Sequence, residues 1–379
     1  MDVLVVGCGL AGAVVARELA EKGKRVTIWE RREHIAGNMY DYVDSHGILV
    51  HKYGPHTFHT NQKELYDYIC KFAQWEDFRL TCGAEINGKF TPTPFNFKTI
   101  DDFFSDVDAK ILKEHIEKEY PNTKSVTVVE ALESKDNLIK SYAQFLFDND
   151  YSLYTAKQWG VSAAEIDPSV LKRVPLRLDY KEGYFDDTFQ LMPKKSYVAF
   201  FEEILNHPNI SVKLNMDASK FIGISSDNEL LLDGNVFDKP LVYTGAIDEL
   251  FGLRYGQLPY RSLKFEWKYE NIESKQPMPV VAYPQEEGYT RIVEYKKLPI
   301  QNVVGTSYAI EYPIPYKSGE VIEPYYPVLT EDSEKLYAKY LQDASQIDNL
   351  YLCGRLADFK YYNMDQVLKR ALIVSEYVK

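Results

Sequence analysis

The hydrophobic pattern at the start of the chain predicts a strand, a helix and a second strand in close succession. An apolar run over residues 2–6 is typical of a buried parallel strand, and apolar side chains recur at helical spacing over 13–22. Residues 25–30 predict a second strand, which ends in the acidic residue Glu30. This succession is a βαβ unit, so the chain is expected to open with a parallel sheet of the α/β class.

The rest of the chain changes its periodicity twice. Residues 99–120 and 128–154 have helical spacing without strand alternation, whereas 259–312 alternate apolar and polar residues, with many Tyr and Val, as in an antiparallel sheet. Shorter segments predict helices over 63–74, 198–205 and 333–342, strands over 85–93, 210–214, 236–244 and 350–353, a turn at Asn87-Gly88, and a closing helix after Asp365.

The first strand runs directly into a glycine-rich turn, Gly7-Cys8-Gly9-Leu10-Ala11-Gly12. Its spacing, G-x-G-x-x-G, allows a tight turn and a close backbone approach to a pyrophosphate at the helix N-terminus. Glu30 stands about where a ribose-binding acid belongs. This turn predicts a dinucleotide site for FAD or NAD, and the residues after Glu30, from Arg31 to Gly37 and Asn38, favour FAD.

Composition narrows the class of protein further. The chain has 379 residues, 45% hydrophobic and 26% charged, which predicts a globular protein of two or three lobes. Its net charge of −12 argues against nucleic acid or an anionic membrane as partner. We expect no signal peptide and no membrane span, and therefore a cytoplasmic protein, because the first strand begins at residue 2 and no apolar run is long enough.

Metal chemistry has weak support in the pattern. His56 and His59 are three residues apart, but Gly54-Pro55 excludes a helix there and no third ligand is nearby. A loop that approaches the cofactor is the better interpretation, and no metal is expected. The cysteines are at 8, 70, 82 and 353, a spacing that suits neither a zinc site nor a disulfide framework.

Two further segments have both a structural and a functional interpretation. Tyr154 and Trp159 are core aromatics or a platform on which a base stacks. The basic stretch from Lys172 to Arg177, which includes Arg173, is solvated surface or a lid that brings an arginine to a phosphate.

Taken together, the motifs resemble those of UDP-galactopyranose mutases along nearly the whole chain. The segments that carry the resemblance are HIAGNMYDY (34–42), YGPHTFHTN (53–61), YTAKQWG (154–160), RVPLRLDYKEGYFDD (173–187), VYTGAID (242–248), LPYRSL (258–263), YTRIVEYK (289–296), EPYYP (323–327) and GRLADFKYYNMD (354–365).

The resemblance implies a Rossmann-like FAD-binding domain (1–80, 191–250 and 330–379), an inserted helical bundle (95–165) and an antiparallel-sheet substrate domain (81–94, 166–190 and 251–329). It implies an isomerase that interconverts UDP-galactopyranose and UDP-galactofuranose through a covalent adduct of the sugar with reduced FAD, with no net redox change. It also implies a homodimer that supplies galactofuranose for cell-surface glycans.

The resemblance assigns roles residue by residue. Arg173, on the matching lid, and Arg291 match the two essential arginines, whose guanidiniums compensate the charge on a leaving diphosphate. Tyr184, Tyr361 and one of Tyr325 or Tyr326, with Tyr326 favoured, match the tyrosines that bind the diphosphate. Other matches are Tyr154 to the uracil-stacking ring, Trp159 to the tryptophan beside sugar and uridine, His56 and His59 to the pair lining the flavin, and Arg355, with Asp365, to the FAD-binding residues.

Two departures from the family pattern bear on function. Ala36 replaces a frequent glycine, and Asn363 replaces a frequent aspartate near the sugar and the cofactor. Because of Asn363, UDP-N-acetylgalactosamine stays an alternative substrate, although His59 favours galactose. Two further alternatives are a flavin oxidoreductase of the amine-oxidase type and a binding protein or inactive relative without turnover.

Overall fold

The computed structural model describes residues 1–159, 175–319 and 322–379, except for the side chains of 158 and 159. Its strands are β1 (Val3–Val6), β2 (Val26–Trp29), β3 (Asp41–Val43), β4 (Leu49–His51), β5 (Phe58–Thr60), β6 (Trp75–Asp77), β7 (Cys82–Ile86), β8 (Lys89–Thr93), β9 (Ser125–Thr127), β10 (Pro175–Arg177), β11 (Phe189–Pro193), β12 (Ile210–Lys213), β13 (Ile222–Ile224), β14 (Leu230–Leu232), β15 (Asn235–Val236), β16 (Leu241–Tyr243), β17 (Tyr260–Glu270), β18 (Val280–Ala282), β19 (Arg291–Glu294), β20 (Thr306–Pro315), β21 (Tyr326–Pro327) and β22 (Leu350–Leu352).

The helices follow the same order. They are α1 (Leu10–Glu21), α2 (Lys63–Cys70), α3 (Phe97–Phe103), α4 (Asp106–Glu119), α5 (Val128–Leu132), α6 (Asn137–Leu146), α7 (Ser152–Trp159), α8 (Tyr197–Leu205), α9 (Ile247–Leu250), α10 (Glu331–Ala344) and α11 (Met364–Tyr377). Short 3-10 turns cover Gly37–Met39 and Ala218–Lys220, and a π-helical turn covers Phe147–Tyr151.

The predicted βαβ unit lies at the centre of a five-stranded parallel sheet. Its strand order is β12-β2-β1-β16-β22, so the chain crosses from one half of the sheet to the other between β1 and β16. Such a switch point is where open α/β sheets bind nucleotides, at the carboxyl ends of the strands. The buried apolar face of α1 packs here, and α11 packs beside it. The Rossmann-like prediction is therefore confirmed.

The alternating segment forms most of a seven-stranded sheet, in the order β21-β17-β20-β19-β18-β7-β8. The predicted turn at Asn87-Gly88 joins β7 to β8, and both residues have positive φ, as a two-residue hairpin turn requires. One pair in this sheet, β7 with β18, is parallel. The sheet is therefore mixed, because β7 reaches it from a distant part of the chain.

The central segment is mainly helical, as predicted. Two details within it differ from the prediction, and so does the end of α2, which lies outside it. A short strand, β9, lies between α4 and α5 and pairs with β10. A π-helical turn separates α6 from α7, and α2 ends at Cys70 because β6 begins soon after. Apolar alternation over three residues is too short to separate a strand such as β9 from a loop.

Among the described residues no helix has both the length and the apolarity to cross a membrane. The buried side chains form clusters around the parallel sheet, between it and the seven-stranded sheet, and within the helical segment. The boundaries predicted for three domains stay a prediction.

Candidate active site

The glycine turn leaves room only for backbone. A Cβ atom on Gly37 would lie 2.8 Å from the Cα atom of Gly9, and a Cβ on Gly12 would lie 2.0 Å from the carbonyl oxygen of Gly7. Gly9 precedes α1 and has no side chain that could cap it, so the first turn of the helix has no side-chain cap. This cradle fits a dinucleotide pyrophosphate at a helix N-terminus.

Ala36 lies beside this cradle in a left-handed conformation, with φ of 74°. A side chain costs roughly 1 kcal/mol in that region, which explains a preference for glycine at this position. The methyl group is fully buried and is accommodated.

Glu30 holds the turn in place. Its buried carboxylate accepts hydrogen bonds from the backbone N–H groups of Cys8 at 2.8 Å and Arg32 at 3.0 Å. A carboxylate accepts about four hydrogen bonds, so capacity for two ribose hydroxyls remains. Arg31 and Arg32 both pair with Glu323, and Arg32 also donates to the Asn38 side chain at 2.8 Å.

Arg291 lies on the inner face of the seven-stranded sheet. It stands directly opposite Glu311 on the neighbouring strand, and its Nε atom donates to Glu311 Oε2 at 2.6 Å. Burial alone would lower the pKa of Arg291, but the Glu311 carboxylate, together with Tyr154 and Tyr326, outweighs that effect and holds the pKa well above its usual value. The guanidinium is therefore a fixed positive charge, and Glu311 orients it.

Two partly buried phenols border this guanidinium. Burial raises the pKa of Tyr184 to about 12 and raises that of Tyr154, and the charge of Arg291 opposes both shifts. Lys157, one turn after Tyr154, donates to three backbone carbonyls in the β18–β19 loop, at 2.5–2.8 Å. These bonds fix α7 against the sheet, and the two protonated phenols are neutral O–H donors in the surroundings of Arg291.

A second group of aromatic rings surrounds Arg355. Its guanidinium lies 4.8 Å from the ring centre of Tyr326 and 5.5 Å from that of Tyr361, and these two rings stack 5.1 Å apart. Its N–H groups donate to the backbone carbonyls of Tyr325 and Tyr362. Within the described residues no carboxylate pairs with Arg355, so its charge is available to an anion.

Tyr325 and Tyr326 have different surroundings, which bears on the choice between them. Tyr325 is 4% exposed and packs against Tyr53 and Phe265. Tyr326 is partly exposed, stacks on Tyr361 and contributes to the electrostatic environment of Arg291. The geometry favours Tyr326 as the phenol that faces the site.

The two histidines lie in different environments. His56 Nδ1 donates to the Gly54 carbonyl at 2.9 Å, which leaves Nε2 without a proton in the neutral ring, and burial together with Arg355 and Arg291 lowers its pKa to about 4. His59 is bonded to Asp187 at 2.8 Å and stacks on Phe185. The arrangement places His56 near the two arginines, whereas Asp187 and Phe185 hold the buried ring of His59.

Lowering the pH is expected to reduce stability through His56. Its folded pKa of about 4 lies below the ordinary 6.5. Between these values the unfolded chain binds a proton that the folded chain does not, so this contribution is complete above pH 6.5 and is lost as the pH falls towards 4. His56→Gln should remove up to about 3 kcal/mol of pH dependence across this window. Urea unfolding at several pH values measures this contribution. If the free energy of unfolding changed with pH equally in the two proteins, the result would contradict a neutral His56 in the folded state.

The remaining predicted site residues lie at the edge of the site or outside the described residues. Asn363 is exposed at the N-terminus of α11, where its N–H donates to Gln366 Oε1 at 2.8 Å. Asp365 accepts a hydrogen bond from Thr60 Oγ1 at 3.2 Å. Arg173 and the side chain of Trp159 lie outside the described residues.

The sequence interpretation did not include the partners that hold these side chains. Glu311 and Asp187 orient Arg291 and His59, and Glu323 joins Arg31 and Arg32. Glu311 lies in a segment predicted as a strand, but only the strand register reveals its pairing with Arg291. In the described residues no group of three His, Cys, Asp or Glu side chains is arranged to hold a metal ion.

Known proteins resemble this chain in sequence and in structure. The family model for UDP-galactopyranose mutase matches residues 150–361, and that for an NAD(P)-binding Rossmann-like domain matches 5–72. The UDP-galactopyranose mutase of Mycoplasma pneumoniae is 35% identical over 99% of this chain and 95% of its own length. The dTDP-fucopyranose mutase of Escherichia coli is 32% identical over 100% and 98%. A crystal structure of reduced UDP-galactopyranose mutase matches with a TM-score of 0.70 at 15% identity, over 100% of this chain and 95% of that chain.

Proposed function

The chain belongs to the UDP-galactopyranose mutase family, and we propose that it interconverts UDP-galactopyranose and UDP-galactofuranose. The observation that carries the proposal is Arg291, a partly buried cation that Glu311 orients, bordered by the phenols of Tyr154 and Tyr184. A sugar that leaves a nucleoside diphosphate transfers negative charge to the diphosphate. A fixed guanidinium with neutral O–H donors beside it stabilises that charge as it develops.

The cofactor we propose is FAD, bound without a covalent link. Supporting features are the close approach of Gly9 and Gly37, the uncapped N-terminus of α1 and the remaining hydrogen-bonding capacity of Glu30. When bound and reduced, a flavin supplies a nucleophile for the anomeric carbon of the sugar.

The protein groups then have separate roles. Arg291 and, as the family resemblance implies, Arg173 hold the diphosphate. The phenols of Tyr184, Tyr326 and Tyr361 donate O–H hydrogen bonds to it. Tyr154 stacks on the uracil. Neutral His56 presents an unprotonated Nε2 towards the cofactor edge and accepts a proton or a hydrogen bond there.

The wider assignments are proposals of the same kind. We propose a homodimer in the cytoplasm that supplies galactofuranose for cell-surface glycans, and three domains with the boundaries given above. Asn363, exposed at the N-terminus of α11, is the position at which preference for a 2-acetamido sugar is best tested.

Tyr326→Phe is expected to lower kcat/KM about tenfold, because one O–H hydrogen bond to a charged group contributes about 1.5 kcal/mol. Tyr325→Phe is the matched control and should change kcat/KM less than about twofold, since its ring is buried against Tyr53 and Phe265. Initial rates with each variant measure the difference. A larger effect at Tyr325 would reverse the assignment.

Turnover of UDP-galactofuranose by the purified, FAD-loaded protein tests the function. With dithionite present, chromatography should show conversion to UDP-galactopyranose, and without it conversion should be slow or absent. A flavin oxidoreductase would instead bleach its oxidised flavin when given the sugar nucleotide anaerobically. Flavin reduction by substrate, or no conversion by a fully reduced protein, would overturn the proposal.

A further inference from the structure

Three buried side-chain atoms near Arg291 lack a hydrogen-bond partner among the described residues. They are His51 Nε2, Tyr295 Oη and Glu311 Oε1. An unpaired buried polar atom costs roughly 1–3 kcal/mol, so several together call for a common explanation.

The three side chains are neighbours. The ring centres of His51 and Tyr295 lie 5.6 Å apart, and the Glu311 carboxylate contributes to the electrostatic environment of Tyr295. Glu311 Oε1 also lies against the loop that carries His56, 3.5 Å from the position of a Cβ atom on Gly54. His51 is in β4, Glu311 is in β20 and Tyr295 directly follows β19, so the three side chains meet where β4 and the His56 loop face the seven-stranded sheet.

Their donor and acceptor properties are complementary. His51 Nδ1 accepts from the His56 backbone N–H at 3.0 Å, so in the neutral ring the proton is on Nε2, which is a donor. Burial keeps His51 neutral by lowering its pKa to about 3, and it keeps the Tyr295 hydroxyl protonated. Glu311 Oε2 is occupied by Arg291, which leaves Oε1 as an acceptor.

We propose that one ordered water molecule binds among His51 Nε2, Tyr295 Oη and Glu311 Oε1 and completes a hydrogen-bonded chain from the His56 loop to Arg291. A buried water typically makes about three hydrogen bonds, which matches the three atoms. The water accepts a hydrogen bond from His51, donates one to Glu311 and makes one with the Tyr295 hydroxyl. All three buried side-chain atoms are then paired.

Because of these hydrogen bonds, His51, Tyr295 and Glu311 act as positioning residues. Through them, the carboxylate that orients Arg291 is held by the same element that places His56. The effect on catalysis rests on the proposed function, because it assumes that Arg291 binds the leaving diphosphate.

Tyr295→Phe tests this hydrogen-bonded connection because it removes only the hydroxyl. The ring still stacks on Trp267, with 5.3 Å between the ring centres. In the reduced, FAD-loaded protein we expect kcat for UDP-galactofuranose to fall about tenfold and KM to change less than about twofold. The reason is that a displaced Arg291 loses most where the diphosphate charge is largest, in the transition state.

Tyr308→Phe is the matched control. Tyr308 is buried on the opposite face of the same sheet, and its hydroxyl bonds to Glu270. Its loss should leave both kcat and KM unchanged. Equal kinetic effects of the two variants, or none for Tyr295→Phe, would overturn the positioning role, and melting temperatures identify a variant that fails to fold.

A high-resolution crystal structure of the FAD-bound wild-type protein tests the water independently of activity. We expect one ordered water within hydrogen-bonding distance of all three atoms, and its loss or displacement in Tyr295→Phe. Direct contacts among the three side chains without that water would overturn the proposal. If the wild type does not isomerise the sugar, the proposed function fails while this test of the water still stands.

Discussion

Arg291→Lys is expected to lower kcat/KM for UDP-galactofuranose by about 100- to 1000-fold, the usual effect of losing a preorganised donor to a developing anion. Lysine keeps the positive charge but not the planar fork, and it cannot reproduce the 2.6 Å bond from Nε to Glu311 while it faces a diphosphate. Most of the loss should appear in kcat, because charge on the diphosphate grows as the anomeric bond breaks. Steady-state rates of the reduced, FAD-loaded variant measure the effect.

A second arginine provides the control for this substitution. Arg254 pairs with Asp343 at 2.7 Å and bonds to Asn228 and Ser225, none of which belongs to the site. Arg254→Lys should therefore retain wild-type turnover. A fully active Arg291→Lys protein, with flavin content and melting temperature unchanged, would remove Arg291 from the diphosphate site.

Gly37→Ala is expected to weaken FAD binding at least about a hundredfold, a change of roughly 2.7 kcal/mol. The new Cβ atom would lie 2.8 Å from the Cα atom of Gly9, so the two loops must separate where the cradle is narrowest. Helix α1 starts directly after Gly9, so the N–H groups of its first turn would move away from the pyrophosphate. Reconstitution of the apoprotein with FAD, followed by flavin fluorescence, gives the affinity.

Gly47→Ala separates this contact from backbone strain. Gly47 also has positive φ, at 79°, but a Cβ atom there meets nothing within 4 Å. This variant should bind FAD as the wild type does, with only the stability cost of a left-handed alanine, roughly 1 kcal/mol. Equal FAD affinity for the wild type and Gly37→Ala would place the cofactor away from the glycine turn.

Local patterns in the sequence were enough to predict much of this fold. The βαβ unit, the Asn87-Gly88 turn and the strands that became β17 to β20 depend on residues close together in the chain. The same holds for Gly12 in the glycine turn, where a Cβ atom would lie 2.0 Å from the carbonyl oxygen of Gly7. For this reason the sequence alone predicted a nucleotide-binding α/β protein with a second, largely antiparallel sheet.

The remaining features depend on contacts between distant segments. The pairing of β7 with β18 and of Arg291 with Glu311 is set by strand register, which periodicity leaves undetermined. The strand β9 and the π-helical turn before α7 are too short to give a pattern of their own. The roles of Arg173 and Trp159 stay predictions, because both depend on parts of the chain outside the described residues.

The central claim is that this site breaks and remakes the bond between the anomeric carbon and the diphosphate without net oxidation. UDP-galactopyranose labelled with oxygen-18 in that bond tests it most directly, by following whether the label moves to a non-bridging position of the β-phosphate. We predict exchange by the reduced, FAD-loaded protein, little or none by the oxidised protein, and a large decrease in Arg291→Lys. Sugar isomerisation by the reduced protein without any movement of the label would contradict the account.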